Sequence, residues 1–422
     1  DHWGPCPDIG KIMNQTERPN FAYQEFAPRF QAELFNATEW SEVFAQAGAQ
    51  YVVLTSKHHD GYCMWDSRSA VPTTWHWNVM DVGPRRDLLG ELASAIQSTH
   101  SPYHNQEKLK FGVYHSLYEW FNPLYLRDRE NNFTTNDFVT LKTIAELKDL
   151  VEKYKPEIIW SDGEWEASSD YWKSRDFLQW YAKTVETGVW NDRWGKETLC
   201  KHGGFYTCAD RYEPGHLVQK KWENAMTIDK TSWGWNRMSS FEDYFSTQEL
   251  VHTLIQTVAY NGNLLLNVGP SADGTLNPIF VDRLMGIGEW LAINSQSIFQ
   301  TSPWDVCQDE AGQQSEHYSS SPIAEGVYYT RTADMLYIHL TKWPTGSTII
   351  LSCPQPSKKT EITMLGYHQP NEMETALRYE INDHGVEVEL PRLTPDVIPC
   401  QHAWVLQMTH VDNLDGYERS RG

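Results

Sequence analysis

The chain has 422 residues, 40% hydrophobic and 22% charged, which excludes a disordered chain and leaves room for a large barrel with an accessory domain. Its 56 Asp and Glu against 35 Lys and Arg give a net charge of −21, which argues against nucleic acid as a partner. No apolar run approaches the roughly 18 residues of a membrane span.

The chain opens on Asp1-His2-Trp3-Gly4 with no signal peptide ahead of it, as a mature or truncated product would. Trp40, Val43, Phe44 and Ala47 follow helical spacing up to Gly48. Tyr51–Thr55 then reads as a buried strand running into Lys57-His58-His59-Asp60-Gly61. Residues 88–96 return to helical spacing, and Leu109–Tyr114 is a second strand ending on His115-Ser116. Leu141, Ile144, Leu147, Leu150, Val151 and Tyr154 form an amphipathic helix that stops before Pro156. The apolar run Ile158-Ile159-Trp160 follows and ends on Asp162-Gly163, with Glu164 and Glu166 just beyond. A helix over 177–185, a strand at 188–191 ending on Asp192-Arg193, a helix over 247–259 and a strand at 263–270 complete this series.

Strand alternating with helix over about 300 residues implies parallel βαβ units, and polar residues at each strand end would converge on one rim of a (β/α)8-like barrel. That convergence lifts Asp162 above the bland reading of an Asp-Gly turn cap. After Pro303 the helical pattern gives way to short β-rich runs at 327–330, 335–340, 348–351 and 404–408, as in a small β-sandwich. The expected domains are therefore a catalytic barrel over 1–302, its first strand apparently truncated, and a C-terminal all-β domain over 303–422.

The site chemistry has alternatives. His58 and His59 could be metal ligands, but neighbours in a strand point to opposite faces and no metal-type spacing accompanies them, so neither metal nor cofactor is expected. They suit hydrogen bonding to a polar ligand instead, and the abundant aromatics (19 Trp, 21 Tyr, 15 Phe) suit stacking on sugar rings as well as a large core. A two-carboxylate hydrolase pairs a nucleophile with an acid/base, and Asp162 suits the first role. Asp210 and Glu223 are candidates for the second. Asp210 follows the flexible His202-Gly203-Gly204 stretch, in a loop that a Cys200–Cys208 bridge could pin. Glu223 lies on or beside a strand, where Lys221 could pair with it and lower its pKa, so Asp210 is favoured. Sequons at Asn14, Asn36 and Asn132 favour a secretory route.

Several segments resemble the glycoside hydrolase family that contains the animal tissue α-L-fucosidases. They are HWG at 2–4, YVVLTSKHHDG at 51–61, DVGPRRDLLGEL at 81–92, YHSLYEWFNPLY at 114–125 and YKPEIIWSDGEWEA at 154–167. NDRWG at 191–195, HGGFYTCAD at 202–210, KWENAMTIDKTSWGW from Lys221 and NLLLNVGPSADG at 263–274 extend the likeness nearly end to end. The resemblance implies a retaining exo-α-L-fucosidase acting on fucosylated glycans, lysosomal or secreted, as a homo-oligomer. It places the nucleophile on Asp162 and the acid/base on Asp210, with Glu223 the competing candidate. It places the sugar-binding set on His2, His58, His59, His115 and Arg193, with Trp160 and Trp233 beside the fucose methyl group. Two departures are expected to matter: the family's first strand is incomplete ahead of His2, and its Ser-Glu-Trp motif is absent before Phe21. They motivate a second reading, a catalytically impaired, lectin-like relative that binds fucose.

Overall fold

The computed structural model describes residues 17–70, 76–103, 105–305, 326–368 and 376–415. Its contacts divide the chain into two compact units with interleaved segments: residues up to Asp210 with Thr227–Tyr244 and Leu266–Asp282, and Arg211–Met226 with Phe245–Leu265 and everything from Arg283.

In the first unit, helix α1 (Ala37–Gln46) is started by the Asn36 side chain, which accepts hydrogen bonds from the backbone of Thr38 and Glu39. Strands β1 (Tyr51–Lys57), β2 (Lys110–Ser116), β3 (Ile158–Asp162) and β4 (Val189–Trp190) lie side by side in chain order, all parallel. Helices α2 (Leu88–Ser98), α4 (Ile144–Tyr154) and α5 (Ser174–Thr184) connect them, with a short α3 (Pro123–Glu130) after β2. These are the expected βα units. Every residue of β3 is buried, as its continuous apolar run requires in a sheet covered on both faces. The register pairs Tyr114 with Trp160, His115 with Ser161 and Ser116 with Asp162. Gly112 permits the close approach of β2 and β3: a Cβ there would come within 2.8 Å of the Ile158 Cβ.

Strands β5 (Trp222–Thr227) and β6 (Gly262–Asn267) form a two-stranded sheet. Helix α6 (Thr247–Ala259) matches its expected bounds and begins with a capping box between Ser246 and Glu249. Helix α7 (Pro278–Asn294) was not expected from periodicity, because apolar residues lie on most of its faces. Its start is nonetheless written locally, in Pro278 at the first turn and in Asn277, whose Oδ1 accepts from the Ile279 backbone at 2.9 Å.

The C-terminal strands build two antiparallel sheets. One has the order β11 (Ile362–Met364), β14 (Trp404–Thr409), β9 (Met335–Leu340), β8 (Val327–Arg331), β7 (Ser302–Pro303), and the other β10 (Thr348–Leu351), β13 (Gly385–Glu389), β12 (Tyr379–Asn382). One core holds Leu336, Ile338 and Leu406 of the first sheet together with Ile349, Val386 and Val388 of the second. That is sandwich packing.

Candidate active site

Asp162 ends β3, and Gly163 in the left-handed region (φ +83°) turns the chain away from it. A Cβ at Gly163 would lie 2.6 Å from the Tyr118 ring, so only glycine serves the turn. Asp162 is 8% exposed, and its carboxylate takes three partners. Tyr114 donates its hydroxyl to Oδ2 at 2.5 Å, the Arg193 Nη1 donates to Oδ1 at 3.1 Å, and the His59 Nε2 stands 3.4 Å from Oδ2. Burial disfavours the charge, but the His59 contact, the Arg193 guanidinium and the Tyr114 hydroxyl outweigh it and hold the carboxyl well below the usual range. Asp162 is therefore a buried, ionised and oriented carboxylate.

The supporting side chains come from successive strand ends. His59 stacks on Tyr118 (4.6 Å, 6°), and its Nδ1 is 2.7 Å from the Ser116 hydroxyl. His58 lies beside it, with ring centres 4.1 Å apart, and stacks on Tyr114 (5.6 Å). Trp160, two residues before Asp162 on the same strand face, stacks on Tyr114 (5.5 Å) and carries the Arg193 guanidinium over its ring at 4.6 Å. Arg193 follows β4 and is itself fixed, its Nε donating to the Thr207 hydroxyl at 2.9 Å.

Asp210 belongs to this group through Arg193, whose Nη2 donates to its Oδ1 at 2.7 Å. The loop that carries it is closed by the Cys200–Cys208 disulfide and gathered around Asp192. The Asp192 carboxylate accepts from the backbone of Cys200 (2.7 Å) and Thr207 (3.0 Å). The Asp210 side chain remains 55% exposed, open to solvent and to an incoming molecule. Asp210 thus meets a cation that sequence order does not indicate, contributed by a residue 17 positions earlier. Glu223 is buried on β5 in the second compact unit, and the Lys221 ammonium reaches the Asn261 side chain at 3.3 Å.

His115 requires a correction. The resemblance assigned it to the sugar, but it is 0% exposed and turned into the interior, with Nδ1 3.0 Å from the Ser56 hydroxyl and Nε2 3.7 Å from Glu146. Residues alternate along a strand, so Tyr114 and Ser116 face Asp162 while His115 faces away. Burial and the nearby Lys57 keep its ring neutral. Tyr114 is the functional neighbour that sequence reasoning missed, and period two applied to the Tyr114-His115 pair would have found it.

Behind His115 lies a sealed ion network. The Lys57 Nζ is 2.8 Å from both Glu119 and Glu146, and the Lys142 Nζ is 2.7 Å from Glu146. Glu164, just past Gly163, is also buried, but its Oε2 has no hydrogen-bond partner. Burial and the Asp162 charge push its pKa up to about 7.

Trp233 is half-exposed on a turn that Asp229 ties down by accepting from Thr231 and Ser239. Asn36 and Asn132 are exposed, while His2 and Asn14 lie outside the described residues, as do the expectations about a first strand and about most of the segment after it. Among the described residues no three His, Cys, Asp or Glu side chains converge as a metal site, and no helix is long and apolar enough to cross a membrane.

The family model described as alpha-L-fucosidase matches residues 4–296, and that of the alpha-L-fucosidase C-terminal domain matches 320–409. The chain is 44% identical to an alpha-L-fucosidase of Branchiostoma floridae over 407 residues, covering 96% of this chain and 84% of that one. It is 42% identical to the plasma alpha-L-fucosidase of Homo sapiens, covering 96% and 82%, and 41% identical to the human tissue alpha-L-fucosidase, covering 96% and 81%. Among solved structures, Thermotoga maritima alpha-fucosidase in complex with a mechanism-based inhibitor superposes with a TM-score of 0.74 at 28% identity, covering 95% of this chain and 85% of that one. The same enzyme in complex with fucose gives 0.73 at 28% identity, covering 96% and 85%. These matches agree with a (β/α)8-like catalytic domain followed by a β-sandwich.

Proposed function

The chain belongs to the alpha-L-fucosidase family, and we propose that Asp162 is the nucleophile with which it removes terminal α-L-fucose from glycoconjugates. It is a glycoside hydrolase of the retaining type; nothing in the comparisons supports a relative that only binds. The observation that carries the assignment of Asp162 is its carboxylate, buried yet held ionised by Tyr114, Arg193 and His59. One Asp162 oxygen attacks the anomeric carbon as the glycosidic bond breaks, giving a fucosyl ester, and water then releases fucose with net retention.

Asp210 is our choice of acid/base, with Glu223 the alternative. Its place beside Asp162, with one Arg193 side chain touching both, and its solvent-open side chain support that choice. The Arg193 pairing itself favours a charged carboxylate and must be drawn off before Asp210 can carry a proton. Asp210 gives its proton to the leaving oxygen and later takes one from the attacking water. Fucose hydroxyls that draw the Arg193 hydrogens onto themselves would free Asp210 for this exchange. His58, His59 and Arg193 supply hydrogen bonds to the sugar, while Trp160 and Trp233 offer its methyl group an apolar wall. His2 would add a further contact.

The division into a catalytic domain over 1–302 and a C-terminal domain over 303–422 goes with this reading, as do glycans at Asn14, Asn36 and Asn132, a lysosomal or secreted location and a homo-oligomeric state. The test is hydrolysis of 4-nitrophenyl α-L-fucoside followed by NMR of the first-formed sugar. Release of 4-nitrophenol with α-L-fucose as the initial anomer is expected; the β anomer, or no release, would overturn the reading.

A further inference from the structure

A glycosidic oxygen joins fucose directly to the next sugar, so that ring must rest on the wall just outside the Asp162 pocket. On one side this wall is aromatic and partly uncovered. Trp165, on the turn that follows Asp162, is 49% exposed, an unusual state for so large an indole. It stands perpendicular to His59 (5.5 Å, 84°) and to Tyr118 (5.8 Å, 79°), two rings already stacked on one another, so its orientation is tied to His59, which also holds the Asp162 carboxylate. The wall continues outward from His59 to Trp120 (5.5 Å), then to Phe121 (6.1 Å) and Tyr23 (5.9 Å). Phe121 is 36% exposed and Tyr23 41%. The backbone supports this line, with the Trp120 N–H donating to the His59 carbonyl at 2.8 Å.

We infer that Trp165, Phe121 and Tyr23 form a binding surface for the neutral sugar rings to which fucose is attached, so that this chain selects oligosaccharide substrates by their leaving group. This rests on the fucosidase reading. The occupant is a pyranose chain because pyranose faces carry C–H groups that pack on aromatic rings, and because the wall is continuous with the pocket that takes the terminal sugar. An isolated aromatic patch would give no such direction.

The experiment compares two substrates that differ only in what leaves: 2′-fucosyllactose and α-L-fucosyl fluoride, whose leaving group is a single atom. Trp165→Ala should lower kcat/KM for fucosyllactose about tenfold more than for the fluoride, the size of one aromatic contact. Phe121→Ala, farther out and away from the turn, should shift the ratio in the same direction by about threefold. Equal losses on both substrates would place Trp165 in the fucose pocket and overturn the inference, and so would a ratio unchanged in both variants. A wild-type chain that leaves the fluoride intact would instead overturn the fucosidase reading beneath it. If the variants lose only binding to a fucosylated lipid or protein and keep the fucosyllactose ratio, the wall receives a non-sugar portion and the inference fails.

Discussion

Two clusters of buried charge lie on opposite faces of the same strand ends. On one face Asp162 is surrounded by Tyr114, His59 and Arg193, with Asp210 at an exposed edge. On the other, Lys57, Lys142, Glu119 and Glu146 alternate in sign, each almost fully enclosed, next to His115. The second cluster balances two ammoniums against two carboxylates within itself. The first leaves an open side and shares one guanidinium between two carboxylates. A sealed and balanced network supports structure, whereas one with an exposed carboxylate edge is prepared for a ligand.

The comparison breaks most visibly if catalysis survives without Asp162. Asp162→Gly should reduce turnover of 4-nitrophenyl α-L-fucoside by roughly 10⁴-fold or more, with added azide restoring part of it. Asp210→Ala should come next. Substrates with poor leaving groups should slow by about 10²–10⁴-fold, good ones far less, and azide should rescue the latter. If Glu223→Ala shows that pattern and Asp210→Ala does not, the two roles exchange.

The sealed network should answer in stability instead. Glu146→Gln leaves two buried ammoniums with one carboxylate, a loss of about 3–5 kcal/mol in denaturant unfolding. The pH profile of whatever protein folds should keep its shape. A normal unfolding midpoint with a displaced profile would make the network part of the site.

The smallest effect concerns Glu164. Its folded pKa of about 7 lies above the ordinary 4.5, so its contribution to stability is fully present below about 4.5 and is lost as pH rises through about 7. Asp162, held low, has the opposite sign and loses its contribution as pH falls. Glu164→Gln cannot ionise, so its Tm relative to the parent chain should rise between pH 4 and pH 8. An equal difference at both pH values would contradict the burial argument.

Much of this was legible from residue order. The strand ending on Asp162, the helices on either side and the β-rich C-terminal run follow from local periodicity, whereas the short span between Cys200 and Cys208 permits their bridge without requiring it. The clamp of Arg193 on Asp210 was not, because nothing local in a Gly-Gly loop says where its end will be held. His115 differs from expectation for another reason: side chains alternate along a strand, so its neighbours Tyr114 and Ser116 face Asp162 and His115 does not. Trp165 reads in sequence as one more core aromatic, and only its exposure separates it from Trp160.

The central claim is that Asp162 carries the sugar during turnover. Incubation with 2-fluoro-α-L-fucosyl fluoride, which slows release of the ester, followed by peptide mapping tests it most directly. One added 2-fluorofucosyl mass is expected on the peptide containing Asp162, and none in Asp162→Gly. A label on another carboxylate, with Asp162 unmodified, would contradict it.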